Sequence, residues 1–100
     1  MEKDDRYQKG KIYQVVCNVT GKCYIGSTRQ TLSARLSGHR DNYNKYLKGG
    51  KAFCKSYHII ENDDYQIELI EEYPCYSKME LERQEGRYQR DMVCVNKVIA

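Results

Sequence analysis

The chain carries an arginine and a histidine spaced to share one face of a helix. Arg35 and His39 are four residues apart in a segment with helical periodicity, so they lie one turn apart. Asn42 and Tyr46 continue the same line. A row of these polar groups beside an apolar stripe can bind an anion. The alternative is a solvated flank of the helix without a function.

A carboxylate interrupts the apolar side of a second predicted helix. Leu81, Tyr88 and Met92 recur at helical spacing, and Glu85 falls in the middle of that stripe. A carboxylate there loses hydration, which costs free energy unless a cation or hydrogen-bond donors contact it. Glu85 is therefore a candidate for chemistry. The structural alternative is an ion pair with an arginine at the edge of the core.

Two tyrosines fall on neighbouring predicted strands. Tyr13 lies in KIYQVVC and Tyr24 in KCYIGS, and a turn near residues 18–21 separates the two segments. The hairpin that they predict points both tyrosines to the same face, although core packing is the ordinary role of a strand tyrosine. Gly26 and Ser27 end the second strand, where a glycine permits close approach to the backbone, as a loop beside a ligand needs.

These residues need a set of elements to hold them in place. We predict these elements from the periodicity of the apolar residues, from a glycine pair that ends the first long helix, and from a capping box that begins the last helix. The predicted strands cover 11–17, 22–27 and 65–73, and the predicted helices cover 32–48, part of 51–64 and 77–91. An extended segment, VCVNKVI, follows. The order ββα(α)βα predicts a small mixed sheet covered by helices.

Composition indicates a small folded domain and excludes several classes of protein. The net charge is +3, and ten tyrosines add apolar area to a chain with only 19 Leu, Ile, Val and Phe residues. No apolar run is long enough to span a membrane and no signal peptide is recognisable, so we expect a cytoplasmic or nuclear protein that is not secreted. Residues 1–9 are predicted to be a flexible lead-in and 10–100 a single domain.

The five cysteines form no C-x-x-C pair, which argues against a zinc knuckle or a thioredoxin-like site. Reduced thiols are the default in a chain without an export signal. A disulfide between Cys17 and Cys23 across the hairpin is the alternative.

Taken together, these motifs resemble the GIY-YIG nuclease family. Lys11-Ile12-Tyr13 stands where the family has Gly-Ile-Tyr, and Tyr24-Ile25-Gly26 matches its Tyr-Ile-Gly. The family's helix arginine and histidine, its metal-binding glutamate and its closing asparagine are matched by Arg35, His39, Glu85 and Asn96. The resemblance covers roughly residues 10–97, and its one departure is Lys11 in place of a glycine.

The resemblance implies both a fold and an activity. The fold is α/β (α+β), with a small three-stranded antiparallel sheet flanked by helices. The activity is that of a metal-dependent endonuclease of the homing, restriction-like or repair type. It would hydrolyse DNA phosphodiester bonds by one-metal, in-line attack of water, with one Mg²⁺ or Mn²⁺ ion on Glu85. The implied catalytic residues are Tyr13, Tyr24, Arg35, His39, Glu85 and Asn96.

The resemblance makes Tyr13 the general base and gives Tyr24 the role of orienting water or phosphate. A free phenol has a pKa of about 10, so Tyr13 can act only where cations such as Lys22, Arg35 or the metal favour the phenolate. We expect His39 to hydrogen-bond to Tyr13 or share its proton, and Arg35 to contact the phosphate. Asn96 would bind the scissile phosphate or a neighbouring backbone group.

DNA is the expected partner, and a charge of +3 gives it only modest attraction. Further substrate-binding residues are expected at Lys22, Gly26, Ser27, Arg29 and Arg40. Specificity would come from a homodimer, a separate DNA-recognition region or DNA shape. The alternative function is a catalytically inactive nucleic-acid-binding module with the same fold. The VNK ending is similar to that of stand-alone members in phages and large DNA viruses, which would act in the host cell.

Overall fold

The computed structural model describes residues 5–50, 54 and 56–92. It begins with a 3₁₀ helix, Asp5–Lys9. The strands are β1 (Lys11–Cys17), β2 (Cys23–Thr28) and β3 (Tyr65–Glu72), and the helices are α1 (Leu32–Leu47), α2 (Tyr57–Ile60) and α3 (Lys78–Asp91). Within the described ranges, no helix is long and apolar enough to cross a membrane.

The three strands form one antiparallel sheet in the order β2-β1-β3. The three-stranded antiparallel sheet flanked by helices is thereby confirmed, and the mixed sheet suggested by the element order is wrong. Strands β1 and β2 are joined by a hairpin, in which Gly21 takes a φ of 74° that favours glycine. In its register Tyr13 lies opposite Gly26, and Val15 lies opposite Tyr24.

The sheet separates two small cores. Successive strand residues point to opposite faces, so the neighbours Ile12 and Tyr13 are both fully buried. The first core packs against α3 and contains Ile12, Cys23, Ile25, Cys75 and Leu81. The second core packs against α1 and α2 and contains Tyr13, Val15, Cys17, Ile59 and Ile60.

Both long helices begin at a side-chain cap. The Thr31 hydroxyl accepts a hydrogen bond from the backbone N–H of Ala34 at 3.2 Å. Ser77 caps α3 in the same way through Glu80 at 3.2 Å, as its capping box predicts. The spacing of Leu32, Leu36, His39, Tyr43 and Leu47 predicts one apolar stripe along α1. The Leu47 side chain is nevertheless 62% exposed, because the residues of α1 that pack on the core end one turn earlier.

The described part of the N-terminal segment contacts the chain just after β3. Tyr7 accepts a hydrogen bond through its backbone oxygen from the N–H of Cys75 at 2.9 Å. The Gln8 side chain donates to the Cys75 oxygen at 3.0 Å. These two hydrogen bonds hold Tyr7 and Gln8 against the segment after β3, which the polar composition of the N-terminal segment does not indicate.

Four cysteines are free thiols: Cys17, Cys23, Cys54 and Cys75. Cys17 and Cys23 belong to the two different cores, so the sheet lies between them. The predicted segment VCVNKVI, together with Cys94 and Asn96, lies outside the described residues.

Candidate active site

The first half of the site is built around the buried hydroxyl of Tyr13. Strand β1 directs this side chain toward α1, where its oxygen lies 2.8 Å from Nε2 of His39. The Nε–H of Arg35 donates to the same oxygen at 3.1 Å. The helical spacing of four residues therefore brings both α1 side chains to one phenol.

Two local features of the sheet make room for the Tyr13 ring. The pairing of β1 with β3 shifts register between Ile12 and Tyr13, a bulge of the kind that re-aims side chains beside functional sites. On the other side, a Cβ added to Gly26 would lie 2.6 Å from Cζ of Tyr13 and would also clash with the hydroxyl. Only glycine at position 26 lets the ring lie across the edge strand.

Burial keeps the Tyr13 phenol and the His39 imidazole uncharged. Burial, reinforced by the nearby Arg35 charge, lowers the pKa of His39 to about 4, so its imidazole is neutral at pH 7. Burial raises the pKa of Tyr13, although Arg35 opposes the rise through its charge and hydrogen bond. The pKa of Tyr24 is also raised, chiefly by burial and then by Tyr13. Its ring meets that of His39 edge-on, with centroids 5.6 Å apart.

The second half of the site is the Glu85 carboxylate on the opposite face of the sheet. Helix α3 positions it, and the Ser27 hydroxyl donates to its Oε1 at 2.6 Å. The Gln89 amide donates to Oε2 at 2.7 Å and to the Ile25 carbonyl at 3.3 Å. Burial raises the pKa of Glu85, and the two hydrogen bonds act against that rise.

The two halves meet in a cleft of about 880 Å³. Arg35 lines it from the side of α1, and Ser27 and Glu85 line it from β2 and α3. Within the described part of the chain, no carboxylate forms an ion pair with Arg35. The donors that contact Glu85 are a hydroxyl and an amide, so its position is not explained by an ion pair at the core's edge.

The Glu85 carboxylate fits a single divalent cation. Among the described residues, each carboxylate oxygen accepts one hydrogen bond, which leaves it one further lone pair. No group of three or more His, Cys, Asp or Glu side chains that could enclose a metal occurs among the described residues. One carboxylate, completed by waters and substrate phosphate oxygens, is the kind of site that suits Mg²⁺.

The structure brings some predicted substrate contacts together and leaves others apart. Arg29 lines the cleft with Ser27. Lys22 lies in the hairpin turn, at the other end of β2, and the cation beside Tyr13 is Arg35. Arg40 contacts Tyr65, donating to its hydroxyl at 2.7 Å, and faces a separate hollow. The remaining predicted residue, Asn96, lies outside the described ranges.

Sequence reasoning missed several contributors to the cleft. Gln89 is one turn after Glu85 on the same helix face, a spacing that could have indicated its role. By contrast, Tyr46 of the predicted polar row is not among the residues that line the cleft, because it packs on Tyr57 with ring centroids 5.1 Å apart. The cleft is also lined by Tyr7 and Lys78, which no motif in the sequence marks.

Comparison with known proteins supports this architecture. A family model described as the GIY-YIG catalytic domain matches residues 9–91. A solved structure, that of the catalytic domain of the homing endonuclease I-TevI, superimposes with a TM-score of 0.59. It is 21% identical, and the match covers 83% of this chain and 87% of the other, a likeness of fold. Comparison with curated proteins gives no match.

Proposed function

The chain belongs to the GIY-YIG family of DNA endonucleases, and from this premise we propose that it hydrolyses DNA phosphodiester bonds with one divalent cation. The observation that supports the proposal best is the meeting of two groups in one cleft. One is the Arg35 guanidinium, which lines the cleft and donates to the buried Tyr13 phenol, and the other is the Glu85 carboxylate. A phosphate bound in the cleft would meet a cation from one face of the sheet and an anionic metal ligand from the other.

Glu85 would hold Mg²⁺ or Mn²⁺ through the lone pairs that Ser27 and Gln89 leave free. When bound, the ion would polarise the scissile phosphate and stabilise the leaving 3′-oxygen. The two hydrogen bonds fix the plane of the carboxylate, so Glu85 presents the same edge to the cleft before and after DNA binds.

Tyr13 and His39 would move the proton together. The neutral His39, with its proton on Nδ1, would accept the phenol hydrogen at Nε2, while Arg35 donates to the phenol oxygen. One lone pair of that oxygen then remains for a proton of the attacking water. As the water's oxygen bonds to phosphorus, its proton passes to Tyr13 and the phenol proton passes to His39. The bond from phosphorus to the 3′-oxygen breaks, and the 3′-oxygen takes a proton from solvent.

Arg35 and Tyr24 would contact the phosphate. The Nε–H of Arg35 donates to Tyr13, and the Arg35 side chain lines the cleft. Its other N–H groups would form a bidentate contact with phosphate oxygens. The raised pKa of Tyr24 keeps its hydroxyl protonated and able to donate to an anion. We also propose Asn96 as a phosphate ligand, on the family resemblance alone.

Binding specificity and location are further parts of the proposal. The small net charge supports only weak, sequence-independent attraction to DNA, so we propose that a second copy or a separate recognition region selects the site. The free thiols of the described cysteines suit the reducing cytoplasm or nucleus.

Plasmid nicking with and without Mg²⁺ tests the proposed function. We expect the wild type and Glu82→Gln to cut, and Glu85→Gln to cut at least about 1,000-fold more slowly. Glu82 is a matched control because it lines the same cleft but pairs with Lys78 at 3.6 Å. EDTA should abolish cutting, and added Mg²⁺ or Mn²⁺ should restore it.

Two outcomes would contradict the proposal. Equal cutting by the wild type and Glu85→Gln would refute the site. DNA retained in a gel shift without cutting by any variant would instead favour the inactive nucleic-acid-binding module.

A further inference from the structure

We infer that the 3₁₀ helix before the sheet adds a DNA-backbone contact to the cleft. In this contact the Tyr7 ring orders Arg29, and Arg29 with Lys9 binds a phosphate that flanks the scissile one. The identity of the ligand as DNA rests on the proposed function. The contact itself rests on residues that have no part in the proton transfer or in metal binding.

The 3₁₀ helix is firmly seated at the cleft. Its backbone accepts from Cys75 at 2.9 Å, and the N–H of Tyr73 donates to the Gly10 oxygen at 2.8 Å. A Cβ at position 10 would lie 2.6 Å from the Tyr73 oxygen, so glycine is needed for this close approach. The match to the family model begins at residue 9, so most of this helix lies outside the matched range.

Tyr7 and Arg29 form a cation–π pair at the wall of the cleft. The guanidinium carbon lies 4.8 Å from the ring centroid, and both residues line the cleft. Among the described residues, no carboxylate forms an ion pair with Arg29. A guanidinium stacked on a ring keeps its N–H edge available for a planar, bidentate contact with phosphate.

Lys11 ties the two parts of this wall together. Its ammonium group donates to the Lys9 oxygen at 3.0 Å and to the Gln30 oxygen at 3.2 Å. It thereby bridges the 3₁₀ helix and the loop that carries Arg29. Lys11 is also the one departure from the family's first triplet, and a glycine at that position has no side chain to make the bridge.

The wall lines the same cleft as Arg35 and Glu85. Arg29, Gln30 and Arg35 lie on a single stretch of chain, and Lys9 lies beside them in the same cleft. A DNA strand whose scissile phosphate contacts Arg35 would therefore place its neighbouring phosphate at Arg29 and Lys9. Such contacts are independent of base sequence, and they show as salt dependence of binding.

Duplex binding, measured by fluorescence anisotropy at several salt concentrations in the Glu85→Gln background, tests this contact without turnover. We expect Arg29→Ala to weaken binding about ten-fold and to reduce the salt slope by about 0.9. Tyr7→Leu keeps apolar bulk but removes the ring face, so it should weaken binding about three-fold. Tyr7→Phe keeps the ring and should bind as the background does.

Arg87→Ala is the matched control because Arg87 is exposed, contacts Gln84 and faces a different hollow of α3. In the catalytically active background, Tyr7→Leu should raise KM and leave kcat unchanged, which loss of folding would not do.

Two results would overturn the inference: equal affinity losses for Arg29→Ala and Arg87→Ala, or wild-type binding by Tyr7→Leu. A wild type that fails to cut DNA would refute the proposed function but would leave this binding measurement decisive for the contact.

Discussion

The two faces of the sheet give the candidate catalytic side chains different degrees of burial and different hydrogen-bond partners. On the face of α1, Tyr13 and His39 are buried, neutral and hydrogen-bonded to each other. On the face of α3, Glu85 is half-buried at an open cleft and is held by two neutral donors. Proton transfer gains from a dry site with fixed hydrogen bonds, whereas a metal ligand needs access to solvent and substrate.

Edge strand β2 contacts both halves of the candidate site. Its residues alternate, so Gly26 lies under the Tyr13 ring while Ser27 points to Glu85. A glycine and a serine side by side thus serve opposite faces at the same point of the sheet. β2 lies at an edge of the sheet, so in the described part of the chain no further strand separates the two faces beyond it.

The largest effect is expected where the two faces are joined. Gly26→Ala places a methyl group against the Tyr13 ring, so we expect kcat to fall about 100-fold and stability to fall by about 2 kcal/mol. Plasmid cleavage and chemical denaturation measure the two effects. Gly86→Ala is the control because a Cβ there meets only Arg90 at 3.5 Å. It lies within α3, so alanine should stabilise the helix by about 0.5–1 kcal/mol.

A wild-type rate in Gly26→Ala would show that Tyr13 does not need its observed position. The proposal that one face serves proton transfer and the other serves metal binding would then be wrong.

The dry face should make stability sensitive to acid. The pKa of His39 is about 4 in the folded chain, against an ordinary value of 6.5, so the unfolded chain binds the proton first as the pH falls. The contribution of the neutral imidazole to the free energy of unfolding is therefore complete above pH 6.5. It declines by about 3 kcal/mol as the pH falls toward 4. His39→Gln has no such group, so its decline over this range should be smaller by that amount.

Urea denaturation of both proteins from pH 7 to pH 4, without metal, measures this difference. Parallel curves for the wild type and His39→Gln would mean that His39 is charged or solvated in the folded chain.

Substitutions beside Glu85, on the half-buried face, should change its affinity for a metal ion. Ser27→Ala and Gln89→Leu each remove one donor from Glu85, and we expect each to weaken Mn²⁺ binding about ten-fold. Calorimetric titration of Mn²⁺ measures the affinity independently of cleavage. Gln84→Leu is the control, since Gln84 lies on the same helix but donates to Glu71 at 2.7 Å. Unchanged affinity in both test variants would show that Glu85 is oriented without them.

Much of this arrangement follows from local patterns in the sequence. The helix spacing of Arg35 and His39, and the place of Glu85 within an apolar stripe, predicted which helix faces meet the sheet. The hairpin predicted that Tyr13 and Tyr24 share a face, and the register places both beside His39. These features depend on neighbours in the chain, so the sequence expresses them directly.

The features that the sequence did not predict depend on distant contacts. Tyr7 reaches the cleft because its backbone bonds to Cys75, far along the chain. Arg40 has the same charge as Arg35 but lies five residues further along α1, on a face that meets Tyr65. Leu47 continues an apolar stripe past the point where α1 has a core to pack on. Charge and periodicity alone do not show where the neighbouring surface ends.

The smallest effects are expected from removing the helix caps. Because each long helix has its own cap, each substitution directly perturbs the helix on one face of the sheet only. Thr31→Ala removes the cap of α1, and Ser77→Ala removes that of α3, each at about 1 kcal/mol. If the two faces fold as separate local units around the sheet, amide hydrogen exchange should speed up in the first turns of the affected helix alone. Thr31→Ala should then disturb Arg35 and spare Mn²⁺ binding, while Ser77→Ala should do the reverse. Equal acceleration in both helices would show that the sheet couples its faces into one cooperative unit, in which proton transfer and metal binding cannot be altered separately.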